Sequence, residues 1–137
     1  SGRHGLFCGD LYGMVKNFPK EHKYSLGGKM LELSWQCLDL TIEANDFPNN
    51  QKAEKISQLS AIFDKLKPRV SMSQEIELIS IGQFSQLEEN YLLEIGREIG
   101  GWLKWAKVPG GVDEKFSIFL ATPSLAKSDN LQLIFSL

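Results

Sequence analysis

The side chains best suited to chemistry in this sequence are two histidines, two cysteines and a group of glutamates. His4 and His22 stand at no zinc-ligand spacing from Cys8 or Cys37. Glu88, Glu89, Glu94 and Glu98 share one stretch. A di-metal helical bundle would also require Glu-x-x-His motifs on facing helices, and the sequence has none. These glutamates therefore read as a solvated helix face. The Gly-x-Ser-x-Gly elbow and the phosphate-binding P-loop pattern are both absent. No Ser, Cys or Lys has an activating base beside it in sequence. The expectation is a protein that is not an enzyme and needs no cofactor and no metal.

Cations are the remaining candidates. Lys16, Lys20, Lys23 and Lys29 cluster in one stretch, and Arg97, Lys104 and Lys107 in another. The formal charge of the 137-residue chain is −2, which argues against a field that attracts nucleic acid over the whole surface. Any binding of a polyanion would have to be local. Up to residue 108 there are thirteen basic and fourteen acidic residues, so removing the tail leaves no basic protein.

The elements that position these residues are helical. The first segment, residues 6–17, can place Leu11, Met14, Val15 and Phe18 on one face, although Gly5, Gly9 and Gly13 weaken it. Ser1-Gly2 reads as a cleavage scar, which puts His4 beside a tag remnant. Phe18-Pro19 forms a boundary. In the second segment Leu26, Met30, Leu33, Cys37, Leu40 and Ala44 form one apolar seam, with Ser25 as the expected N-cap. A second seam, Leu31, Trp35, Leu38 and Ile42, runs beside it and predicts contact with more than one neighbour. The third segment, about residues 51–78, carries Ile56, Leu59, Phe63, Leu66 and Val70, and Pro68 predicts a kink. The fourth begins after a Ser80/Gln83 capping box and carries Phe84, Leu87, Tyr91, Leu92, Ile95, Ile99, Trp102 and Ala106. Gly96, Gly100 and Gly101 suggest close approach of another helix. Trp35 and Trp102 read as core, and Trp105 as rim.

These segments predict an all-α fold, an up-down four-helix bundle over residues 1–108. In that topology the second and fourth helices run parallel, so the two cationic clusters fall at opposite ends. Residues 109–137 form a C-terminal extension with alternating apolar positions, Phe116, Ile118 and Leu120, then Leu131, Leu133, Phe135 and Leu137. It reads as a short β-hairpin or a mobile tail. Two cysteines are too few for a disulfide framework, and no apolar run reaches the roughly 20 residues of a membrane span. A cytoplasmic protein without a membrane partner is expected.

Two blocks carry a resemblance. The first is Phe18-Pro19-Lys20-Glu21-His22-Lys23-Tyr24-Ser25-Leu26-Gly27, followed by a helix ending Ile42-Glu43-Ala44. The second is Glu94-Ile95-Gly96-Arg97-Glu98-Ile99-Gly100-Gly101-Trp102-Leu103-Lys104. In this order and distance they resemble the bacterial four helix bundle protein family over residues 11–107. That family includes the accessory variability protein (Avd) of diversity-generating retroelements, and proteins encoded in 23S ribosomal RNA intervening sequences are related to it. The resemblance implies a bundle that assembles as a homo-oligomeric ring, a pentamer in the family. It also implies a non-catalytic partner of reverse transcriptase and template RNA that supports mutagenic cDNA synthesis. Carried over by motif, Lys20, Lys23, Arg97 and Lys104 are the expected nucleic-acid or partner contacts, and Gly96, Gly100 and Gly101 serve packing. The alternative is a homo-oligomeric scaffold with no nucleic-acid role, for which the acidic balance speaks.

Overall fold

Apolar periodicity organises residues 2–106, which are the residues described by the structure, a computed structural model. Helix α1 is Gly2–Val15. Helix α2 is continuous through a turn Lys20–His22, a π-helical segment Lys23–Gly27 and a long α-helical run Gly28–Asp46. Helix α3 is Asn49–Glu75. Helix α4 joins Ile81–Leu87, a second π-helical segment Glu88–Leu92, and Leu93–Ala106. There is no strand among the described residues. The expected extension, 109–137, lies outside them.

Directions alternate along the chain. Arg3 reaches Glu98, and His4 lies against Thr41, so α1 begins beside the later parts of α2 and α4. The Phe7 ring then packs on Tyr91. Ala44, Ile56 and Trp105 form a separate apolar cluster that joins the end of α2, the start of α3 and the end of α4. This is an up-down four-helix bundle. The main core takes Phe7, Leu11 and Val15 from α1, and Met30, Leu33 and Cys37 from α2. Leu59, Phe63, Leu66 and Val70 come from α3, and Leu87, Ile95 and Ile99 from α4. Each such side chain contributes roughly 1.5–3 kcal/mol when withdrawn from water.

Local chemistry sets the helix ends. The Ser80 hydroxyl accepts from the Gln83 amide while the Gln83 side chain accepts from the Ser80 amide, so the capping box is present. At the end of α3, Glu77 adopts φ 66°, a left-handed conformation usually given to glycine. The expected N-cap at Ser25 is not formed. The helix has already started at Lys20, and the Ser25 hydroxyl donates instead to the Glu21 carbonyl. Pro68 is carried inside one unbroken helix, on its exposed side.

Other expectations need correction. Helix α1 starts at Gly2, ahead of the expected residue 6, and His4 is a fully buried packing residue within it. Gly5, Gly9 and Gly13 leave open space where a Cβ would stand, so they lie away from the core. Trp35 and Ile42 are about half exposed: Leu31 of the same seam packs against the core, but among the described residues nothing buries these two. Trp105, expected at a rim, is buried against Ala44 and Ile56, and its indole N–H has no hydrogen-bond partner among the described residues. Trp102 is half-buried against both clusters.

Candidate nucleic-acid and partner interface

The four expected contact residues form two regions. Lys20 and Lys23 lie at the first turns of α2, at the corner where α1 hands over to it. This corner is built on Gly27. A Cβ there would lie 2.6 Å from Val15 Cγ1 and 3.1 Å from a Phe18 ring carbon, so only glycine lets α2 pass this close. Val15 and Phe18 are thereby sealed into the core, and the polar residues around them face outward. Lys16 and Lys20 are exposed and Lys23 is half-buried. None of the three makes an ion pair among the described residues. Tyr24 beside them is 76% exposed. Unpaired ammonium groups next to a bare aromatic ring can bind a phosphate backbone and stack a base.

Arg97 and Lys104 lie on α4, in a groove shared with α3. The groove holds about 550 Å³ and is lined by Phe63, Lys67 and Ser71 from α3, with Phe84, Glu88, Leu92, Leu93, Gly96 and Gly100 from α4. Gly96 and Gly100 do not serve close helix packing as expected. A Cβ on Gly96 would make only ordinary contact with Phe63 at 3.5 Å, and one on Gly100 would meet nothing within 4 Å. They form an open floor, whereas Gly101 is buried. The cations above this floor are largely held. Arg97 donates to Glu94 at 2.7 Å, and Lys67 lies 3.3 Å from Asp64 and 5.1 Å above the Phe63 ring. Lys104 is exposed and makes no ion pair among the described residues. Reading the sequence missed Lys67, Phe84 and Leu93. The four-residue step from Phe63 to Lys67 was the available signal, since it stacks the two side chains on one helix face.

The remaining titratable groups hold the bundle together. Arg3 donates to Glu98 at 2.6 Å and approaches Glu94 at 4.0 Å, so these two glutamates are half-buried ion-pair partners rather than a solvated face. Burial raises the pKa of Glu98, and Arg3 draws it part of the way back. Tyr91 donates to the Asp10 carboxylate, and this bond with burial pushes its pKa up to about 12. Burial lowers the pKa of His4 to about 4. Cys8 and Cys37 are free and buried; desolvation raises the first and pushes the second up to about 12, so both stay thiols. Among the described residues no three His, Cys, Asp or Glu side chains converge as metal ligands. No described helix is long and apolar enough to cross a membrane.

With both motif blocks placed, comparison with family models decides the ancestry: the bAvd-like model matches residues 3–106, well over half of the chain. The chain belongs to the bAvd-like family. No curated protein and no solved structure matches it. The bAvd-like match covers all four helices and ends at Ala106, where α4 ends.

Proposed function

We propose that this chain is a non-catalytic accessory protein of a diversity-generating retroelement, binding reverse transcriptase and template RNA during mutagenic cDNA synthesis. The observation that carries this reading is bAvd-like membership across residues 3–106. The two cationic regions support it and suggest a division of labour. The corner of Lys16, Lys20 and Lys23 with exposed Tyr24 suits single-stranded RNA. The α3/α4 groove with Arg97 and Lys104 suits the polymerase. The test is binding of the retroelement's template RNA across a salt series, together with co-purification of the reverse transcriptase encoded beside the gene. Expected are a steep loss of RNA binding with salt and a stable complex with the polymerase. No RNA binding at low salt and no complex would overturn the reading.

Assembly into a homo-oligomer, a pentameric ring as in the family, belongs to the same proposal. The seam of half-exposed Trp35 and Ile42, joined by half-buried Leu31 and Leu38, favours it. The same seam favours the second reading, a homo-oligomeric scaffold without nucleic acid. Light scattering on the wild type and on Trp35→Glu tests the assembly, with a ring expected for the first and smaller species for the second. RNA binding then separates the two readings.

A further inference from the structure

We infer that the groove between α3 and α4 seats an amphipathic helix of a protein partner, with aliphatic side chains against its wall and a carboxylate on Lys104. The inference deepens the proposed function, resting on the reading that Arg97 and Lys104 face a partner, and it names the chemistry of that partner. Three observations carry it. The first is the wall. Its apolar members are Leu92, Leu93, Phe84 and Phe63, of which Leu93 is 47% exposed and Phe63 only 2%. Phe63 is also covered by the Lys67 ammonium. The most exposed apolar group of the wall is thus aliphatic, Leu93, and its one accessible ring is the half-buried Phe84. The second is the floor. Gly96 and Gly100 expose α4 backbone one turn apart, so an incoming helix can lie close to it. The third is charge. Lys67, Arg97 and Lys104 face Glu88 in the groove, and Asp64 and Glu94 already neutralise the first two. Three cations against three carboxylates leave no net charge to hold a polyphosphate chain, whereas Lys104 can pair with one carboxylate on a peptide.

A helix that fits presents leucines at i, i+3, i+4 and i+7 with glutamates on one flank. The experiment uses the full chain and a fluorescein-labelled peptide of this pattern, about four turns long, and follows anisotropy. Labelled oligouridylate is titrated in parallel. Saturable peptide binding is expected, weakened about tenfold or more by Gly100→Leu, which fills the floor, and by Lys104→Glu, which repels the carboxylate. Circular dichroism melting confirms that Gly100→Leu folds, and the open space at its Cβ permits this. Oligouridylate binding is expected to survive both changes. Absence of saturable peptide binding, or binding unaffected by both substitutions, overturns the inference. Loss of oligouridylate binding on Gly100→Leu overturns it too and gives the groove to nucleic acid. Oligouridylate binding by the unsubstituted protein reports on Lys20 and Lys23, so its absence there counts against the proposed function and not against the groove.

Discussion

The two motif blocks each centre on glycine, and the two glycines do opposite things. Gly27 is buried in a contact so tight that a methyl group would overlap Val15, while Gly100 looks into open space. The first block uses absence of a side chain to close a corner, leaving its lysines unpaired on the outside. The second uses it to keep a groove open, in which two of the three cations, Lys67 and Arg97, are tied down by carboxylates. A glycine in a motif is therefore not one signal, and which meaning applies depends on what lies across from it.

Helix α1 joins the two regions, pairing Arg3 with Glu98 at one end and setting Val15 over Gly27 at the other. Loosening α1 should disturb both together, and the largest expected effect is acid. His4 has a folded pKa of about 4 against 6.5 in the unfolded chain, so the unfolded state takes up a proton first. Stability is lost as pH falls from 6.5 towards 4, by roughly 3 kcal/mol when complete. Urea unfolding at pH 7 and at pH 4.5 should show this, and His4→Gln should flatten it. An unchanged pH dependence in the variant would remove His4 as the cause. Next in size, Gly27→Ala should cost about 1–3 kcal/mol by overpacking Val15 and Phe18, read as a lower thermal midpoint.

The charge contrast yields a smaller effect. Lys20→Glu with Lys23→Glu should weaken RNA binding about tenfold and lower the salt slope by about 1.4, as two lost single-strand phosphate contacts require. Lys104→Glu should leave that slope nearly unchanged. Equal effects at both sites in a salt titration would erase the distinction drawn here. The smallest change is Gly100→Ala, which should stabilise the bundle by up to about 1 kcal/mol through helix propensity. A destabilised Gly100→Ala in the same melt would mean that something fills the groove in the free protein.

Much of this architecture was legible in the sequence. The seam of Ile56, Leu59, Phe63, Leu66 and Val70 is buried throughout, and the capping box at Ser80 forms as its spacing predicts. These features depend on neighbours within a few turns. Trp35 and Ile42 misled because apolar periodicity records that a face is apolar and not how far its neighbours reach across it. The burial of His4 was illegible for a similar reason: a histidine between Arg3 and Gly5 shows no pattern until α2 brings Thr41 against it. Ser25 has the right chemistry for a cap, but Pro19 opens the helix earlier, with its carbonyl accepting from the Lys23 amide. The opposite placement of the two cationic regions followed from counting helix directions, while the groove itself depends on side chains from two helices and could not be counted.

The π-helical segment Lys23–Gly27 carries one further consequence. Such a segment holds one residue more than the α-helix would use, like an insertion kept in the gene. Deleting a single residue there would return α2 to regular winding and swing everything upstream by about 100° around its axis. Lys20 would then leave its present face while Met30, Leu33 and Cys37 stayed in the core. The reading frame of the corner is thus set by one surplus residue, and an insertion or deletion here would re-aim the cationic surface and pull Val15 and Phe18 off Gly27 in the same movement.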